Sequence, residues 1–219
     1  MKSTSPYFLF LKEQNSINSS FVKPSISASA IASSKYITHP SETKSQSVFV
    51  ATASKTVSGQ NNYNSSPLEN IAKWFLHKSS LSNKKLQKLC YYAYCWFIVF
   101  FNDKEAISKD REHEINSLCS DSFQAWIHGP VSPRLYHRYK TYGWGNIPQE
   151  KNKPEVAAEI ESLLEQVWSA YGHYSADALE MISHKEKPWL NARKGYHMGD
   201  ACANEISKFD IFEYYSSLG

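Results

Sequence analysis

The feature that most constrains the fold is an apolar segment between Lys84 and Phe101, in which apolar residues recur three and four positions apart. This spacing places side chains on one face of an α-helix. From Tyr91 onward the segment is apolar on nearly every side, and such a helix must be surrounded by other elements to be stable in water. The sequence therefore predicts a central helix that begins behind Ser82 and ends before Asn102, with the other elements packed around it.

Helical patterns also cover most of the chain after residue 66. Six further helices are predicted, and they begin at Pro67, Pro133, Pro154, Ala176, Pro188 and Ala203. The helix from Pro154 is predicted to end at Gly172 in a left-handed cap, a conformation that glycine adopts readily. The polar stretch from Ala106 to Cys119 stays undecided between helix and loop. No period-two pattern indicates a strand after residue 66, so we expect an all-α fold, a single compact bundle of about six or seven helices.

Residues 1–66 differ in composition from the rest of the chain. They contain 17 Ser and no Trp, and their six Lys and two Glu give a net charge of +4. Since the whole chain is +3 (24 minus 21), residues 67–219 carry 18 basic and 19 acidic side chains, a net of −1. A Ser-rich segment of this kind buries too little apolar surface to offset its ordering entropy. We therefore expect a low-complexity, disordered N-terminal extension over 1–66, or a start codon assigned too early, followed by a helical domain over 67–219. The run at 47–53 has some strand character, which leaves two alternatives open for it: a short strand, or a segment that folds on a partner.

Composition also argues against several classes of function. The near-neutral charge of residues 67–219 provides no field that would attract nucleic acid or an anionic membrane. The longest apolar run, Tyr91–Phe101, is about half of the roughly twenty residues that a membrane-spanning helix needs. The four cysteines have neither zinc-site nor disulfide-framework spacing, which favours buried, reduced thiols in a cytoplasmic protein. We expect no metal and no cofactor.

One candidate catalytic group combines His128 with His184 and Glu186, as acid and base in the cleft of an enzyme. His128 precedes Gly129-Pro130, where glycine permits the backbone angle that a tight corner needs. No carboxylate or second histidine stands at a fixed local spacing from His128. A rigid corner at His128 and a charged helix cap at Glu186 are therefore the favoured interpretations, and we expect no enzymatic activity.

The predicted helix after Pro133 carries Tyr136, Tyr139 and Tyr142, with cationic side chains between them. Three interpretations stay open. In the first, the rings and cations form a stacking surface for nucleic acid. In the second, Tyr139 and Tyr142 point into the core and the cations are solvated. In the third, Tyr and Arg side chains anchor a protein interface. The slightly negative charge of the domain argues against nucleic acid.

Three motifs in a fixed order resemble the Panacea domain, the SocA-like antitoxin family that is also met among phage-associated proteins. They are LQKLxYYA from Leu86, AWxxGPVxPxLY from Ala125 and SHxExPW from Ser183. The residues most typical of the family are Lys85, Gln87, Lys88, Tyr91, Tyr92, Trp126, His128, Gly129, Pro130, Val131, Pro133, Tyr136, Tyr139, His184, Glu186, Pro188 and Trp189.

The resemblance implies an all-helical antitoxin that neutralises a cognate toxin by direct protein–protein binding, with a cellular protease as a further partner if the chain acts as a proteolytic adaptor. It supplies no catalytic residues. Exposed Tyr and Arg side chains on the predicted helices then become candidate toxin contacts: Arg134, Tyr136, Arg138 and Arg193. Residues 1–66 do not resemble the DNA-binding domain that some members carry, which argues against transcriptional autoregulation by this chain. A nucleic-acid-binding regulator is kept as the alternative hypothesis, and an enzyme as the weaker one.

Overall fold

The computed structural model describes residues 67–109 and 114–218, so the predicted extension over 1–66 lies outside the described residues. The helices are α1 (Pro67–Lys78), α2 (Asn83–Phe100), α3 (Lys104–Lys109), α4 (Pro133–Tyr139), α5 (Ala158–Tyr171), α6 (Ala176–Ser183), α7 (Lys187–Ala192) and α8 (Lys208–Ser216). The short strands are β1 (Leu81–Ser82), β2 (Gln124–Trp126), β3 (Gly129–Val131) and β4 (Asn146–Ile147). The all-α fold class is confirmed. Each predicted helix is present, and α3 overlaps the beginning of the undecided stretch from Ala106 to Cys119.

Helix α2 is the centre of the described fold, as its all-round apolar pattern predicts. The Ser82 hydroxyl caps it by accepting a hydrogen bond from the Lys85 N–H at 3.3 Å. Thirteen of its side chains are buried, and α1, α4, α5, α6 and α8 all contact it. Because most of the helix is surrounded, its buried polar side chains need partners inside the protein.

Aromatic contacts join α2 to α5 and α8. The rings of Tyr92 and Tyr171 stack with centroids 4.0 Å apart. The Trp96 indole N–H donates to the Tyr171 hydroxyl at 3.1 Å, and the Trp96 ring meets Tyr215 edge-on at 5.3 Å. The four cysteines are free and buried, as predicted.

Two small antiparallel sheets supplement the helices. β1 pairs with β4, with Leu81 opposite Ile147, and β2 pairs with β3 in a hairpin that places Trp126 opposite Gly129. The Ala125 N–H donates to the Asn204 carbonyl at 2.9 Å, so the backbone near residue 204 covers the outer edge of the hairpin. Strands of two or three residues are too short to show an alternating pattern, which is why the sequence did not indicate them.

Two helix starts and the conformation of one helix cap differ from the predictions. α5 begins at Ala158 rather than Pro154. α8 begins at Lys208 behind the Ser207 cap rather than at Ala203, because the preceding residues pair with β2 instead. The predicted left-handed cap at Gly172 is wrong, since its φ is −63°.

Close packing accounts for glycine at position 172. An added Cβ would lie 2.5 Å from the Trp168 carbonyl oxygen and 2.8 Å from the Trp168 ring. The Gly172 carbonyl in turn accepts a hydrogen bond from the Lys85 ammonium at 2.7 Å, which ties the end of α5 to α2.

Within the described residues, no helix combines the length and the apolar character that crossing a bilayer requires.

Gly129→Ala should destabilise the protein more than Gly195→Ala. Both glycines have left-handed backbones, with φ of +88° and +89°. An alanine costs about 1–2 kcal/mol for that conformation at either site. At Gly129 alone the added Cβ would also lie 2.7 Å from Lys88 Cε and from Ser183 Oγ. Overpacking of this kind adds about 1–3 kcal/mol. Urea unfolding of both variants measures the difference, and equal losses would mean that the backbone conformation alone sets the cost.

Candidate protein-binding surface

The motif residues of α2 hold the β2–β3 hairpin through its backbone. The Lys88 side chain is fully buried, and its ammonium donates to the Pro130 carbonyl at 3.0 Å. The side-chain amide oxygen of the neighbouring Gln87 accepts from the Ser132 N–H at 2.9 Å. Since Ser132 is also the N-cap of α4, these two side chains fix both the hairpin and the start of the helix that follows it.

The motif residue Glu186 joins three helices from inside the core. It is 1% exposed and occupies the N-cap position of α7. Its carboxylate accepts hydrogen bonds from the Tyr92 hydroxyl on α2 at 3.1 Å and from the Tyr215 hydroxyl on α8 at 2.7 Å. The charged helix cap predicted from the sequence is therefore buried, and its partners come from residues far away in the chain.

Trp189 connects α7 to the hairpin. Its indole N–H donates to the Trp126 carbonyl at 3.1 Å, and the His184 ring stacks on it at 4.1 Å. Burial lowers the pKa of His184, opposed by nearby Glu180. The His184 Nε2 atom is buried without a hydrogen-bond partner among the described residues.

Arg193 is part of the core rather than of an exposed surface. Its side chain is buried, and its guanidinium donates to the carbonyls of Ala125 at 2.8 Å, His197 at 2.9 Å and Asp200 at 2.8 Å. The prediction that it contacts a toxin assumed an exposed side chain. Its contacts instead hold the hairpin against the loop that follows α7.

His128, His184 and Glu186 have separate partners rather than a common site. His128 Nδ1 lies 3.1 Å from the Glu180 carboxylate on α6, whereas His184 stacks on Trp189 and Glu186 bonds two tyrosines. In the part of the chain that the structure describes, no three His, Cys, Asp or Glu side chains are grouped as metal ligands.

The exposed sequence-predicted residues lie on α4 and on the adjacent hairpin tip. Trp126 is half-buried and meets Tyr136 edge-on at 5.0 Å, while Ile127 and Tyr136 are 38% and 36% exposed. Arg134 and Arg138 are exposed and stand one helical turn apart, on the flank of α4 opposite Tyr136. We call these five residues the α4 surface.

The α4 surface is cationic and aromatic. From Phe123 to Ile147 the chain contains three Lys or Arg residues and no Asp or Glu. The nearest acidic partner to this surface is Glu69 on α1, whose carboxylate is 3.8 Å from the Arg134 guanidinium. Tyrosine, tryptophan and arginine are the residues that most often anchor protein interfaces, and here the aromatic rings and the arginines lie on two sides of α4.

The three tyrosines of this region have different environments. Tyr139 is buried against the core, which settles the inward interpretation for that ring, whereas Tyr142 is 43% exposed. The most exposed aromatic ring in the region belongs to Trp144, at 93%. Sequence reasoning missed Trp144 because tryptophan ordinarily indicates core, although the flanking glycines in Gly143-Trp144-Gly145 signalled a turn.

Comparison with known proteins agrees with the motifs. Residues 86–190 match the family described as antitoxin SocA-like, Panacea domain. The chain has a SocA-like Panacea domain. The match runs from the first residue of the first motif to just past Trp189, the last residue of the third. No curated protein and no solved structure matches the chain.

The structure separates the residues of the Panacea domain that set the fold from those that face solvent. Gln87, Lys88 and Glu186 are buried and hydrogen-bonded to groups of the same chain. Trp126 and Tyr136, from the second motif, reach the surface at the hairpin and α4. The buried set therefore positions the α4 surface, and the exposed set is available to a partner.

Glu186→Ala should reduce the free energy of unfolding by about 2–5 kcal/mol, because it leaves the buried hydroxyls of Tyr92 and Tyr215 without their acceptor. The matched control is Glu213→Ala, which removes an exposed carboxylate from α8. Urea unfolding of both variants and the wild type measures the effect. A loss within about 0.5 kcal/mol of the Glu213 control would show that Glu186 is not a structural acceptor.

The free energy of unfolding should rise with pH between 7.0 and 8.5 because of Lys88. Burial lowers the pKa of Lys88 from 10.5 to about 7, with Glu180 opposing and Lys84 adding to the shift. Above pH 7 the unfolded chain therefore binds more protons at this site than the folded chain does. The resulting slope is at most about 1.4 kcal/mol per pH unit.

Lys88→Met is the control for this pH dependence, since it fills the same space without a titrating group. The window ends at pH 8.5 because burial raises the pKa of Cys90 and Cys95, so ionisation of these thiols in the unfolded chain lowers stability at higher pH. An unchanged slope in Lys88→Met, measured by urea unfolding at both pH values, would exclude Lys88 as the source.

Proposed function

We propose that this protein is an antitoxin that neutralises a cognate toxin by binding it directly, and that the α4 surface makes the contact. The family match supports the antitoxin role. The observation that supports the location is the set of exposed Tyr and Arg side chains on two sides of α4, together with the half-buried Trp126 of the adjacent hairpin. The rest of the second motif serves to hold these side chains in place.

The α4 surface suits binding because its backbone is already fixed. Lys88 and Gln87 hold the hairpin and the Ser132 cap, and Leu135 and Tyr139 insert the inner side of α4 into the core. A partner that covers the outer sides of α4 therefore meets residues whose main chain loses little freedom on binding. Such preorganisation increases affinity by reducing the entropic cost of association.

Two routes to neutralisation are compatible with such a contact. In the first, the bound toxin is blocked for as long as the complex lasts. In the second, the protein also acts as an adaptor that presents the bound toxin to a cellular protease. We propose blocking as the primary route, because it needs only the one surface that α4 provides.

Co-expression with the product of the neighbouring gene tests the proposal. That product should stop growth when expressed alone, and the wild-type chain should restore growth. Tyr136→Ala combined with Arg138→Ala should abolish the protection, since truncation of a true anchor weakens binding by at least about 2 kcal/mol, close to 30-fold in Kd. Glu159→Ala, an exposed change on α5, is the control and should protect fully.

The same cultures distinguish the two routes, because immunoblots report the amount of toxin. Constant toxin during restored growth supports blocking, and toxin that disappears in a protease-dependent way supports the adaptor route. A neighbouring product that is harmless alone, or lethal beside the wild-type chain, would contradict the antitoxin proposal. Full protection by a folded Tyr136→Ala/Arg138→Ala variant would contradict the location of the contact.

A further inference from the structure

Trp144 is unlike the other tryptophans of the protein. It is 93% exposed, whereas Trp74, Trp96 and Trp189 are at most 1% exposed and the remaining two are half-buried. A fully hydrated indole is a large apolar surface that gains most by burial against another molecule. None of the contacts that stabilise the described fold needs this side chain.

The loop that carries Trp144 is anchored on both sides. Across the turn that contains Trp144, the Gly145 N–H donates to the Tyr142 carbonyl at 2.9 Å. Gly143, which precedes Trp144, has a φ of +53°. On the C-terminal side, Ile147 is buried and pairs with Leu81 in the β1–β4 sheet. The indole therefore projects from a backbone of defined geometry, which lowers the entropic cost of using it as an anchor.

Two cationic side chains precede Trp144 closely in the chain. Arg138 and Lys140 are exposed, and neither forms an ion pair with a carboxylate of the described residues. Arg138 and Tyr142 also line an open cleft of about 310 Å³ that lies between the end of α4 and β4. Trp144 thus adds one large apolar side chain to the chain segment that follows the cations Arg138 and Lys140.

We propose that Trp144 is the central anchor of the toxin contact, and that it enters an apolar pocket whose rim on the toxin carries Asp or Glu carboxylates. This inference rests on the proposed function, since the toxin is the partner. Arg138 and Lys140 supply the complementary charges, which speed association and fix orientation. The buried indole supplies most of the affinity, as central tryptophans in interfaces commonly do.

Two other occupants fit the same features less well. A second copy of this chain would meet the surface with its own Arg138 and Lys140 in a symmetric dimer, which sets like charges against each other. A nucleic acid requires a cationic track, and here Glu150 lines the cleft beside Arg138 while residues 67–219 have a net charge of −1 (18 minus 19).

The experiment measures binding of the purified full chain to the product of the neighbouring gene at 50 mM and 300 mM NaCl. Trp144→Ala should raise Kd at least about 30-fold. Arg138→Glu with Lys140→Glu should lower the association rate about 10-fold or more at 50 mM NaCl, and the wild-type rate should fall at 300 mM. Because the indole is exposed, Trp144→Ala should unfold at the same urea concentration as the wild type.

Matched controls separate the local effect from general ones. Lys185→Glu with Lys194→Glu makes the same change in net charge at exposed positions outside residues 123–147, and Met198→Ala removes an exposed apolar side chain elsewhere. Each control should change Kd less than about 3-fold. Trp144→Phe, which keeps an aromatic ring, should recover part of the affinity that Trp144→Ala loses.

The outcomes distinguish this inference from the proposed function. Tight binding by both the wild type and Trp144→Ala would overturn the anchor and leave the antitoxin role intact. No binding by the wild type would overturn both. An association rate that is independent of salt and of the Arg138/Lys140 reversal would overturn the acidic rim. A wild-type dimer that Trp144→Ala dissociates, or a Trp144-dependent complex with DNA or RNA, would assign the surface to another occupant and overturn the inference.

Discussion

The fold depends on hydrogen bonds that satisfy the polar side chains buried around the central helix α2. A buried ammonium or carboxylate is tolerated only where donors or acceptors replace its hydration. Lys88 finds the Pro130 carbonyl, and Glu186 finds the hydroxyls of Tyr92 and Tyr215. These bonds have direction, unlike the apolar contacts around them. They therefore determine where the hairpin, α7 and α8 sit against α2, and through the hairpin they determine where α4 begins.

Local patterns predicted most of the fold, because the signals for helices lie within one or two turns of the residues concerned. The all-round apolar pattern of α2 placed it at the centre, and its start behind Ser82 was recognised from the residues next to it. Gly172 shows the limit of that reasoning. Glycine after an apolar run usually indicates a left-handed cap, but here the requirement is room beside Trp168, which only the packed structure reveals.

The candidate site was less predictable because exposure is a property of the whole fold. The sequence around Arg193 and Arg138 does not distinguish a buried arginine from an exposed one. Arg193 is buried and its guanidinium donates to backbone carbonyls, including that of Ala125, whereas Arg138 is exposed to solvent. Nothing near position 193 encodes that partner. Trp144 is the converse case, since the residue type suggests core and its position in a glycine turn exposes it. The motifs identified the domain correctly but did not separate its scaffold from its surface.

The edge of the hairpin is completed by chain that is synthesised much later. Asn204 supplies the acceptor for the Ala125 N–H, the Ile206 N–H donates to the Phe123 carbonyl, and Tyr215 supplies the second donor to Glu186. On the ribosome, the hairpin and α4 emerge well before these partners do. The nascent chain therefore lacks these partners until residues near 215 have left the exit tunnel, so the hairpin that positions α4 stays incomplete until then.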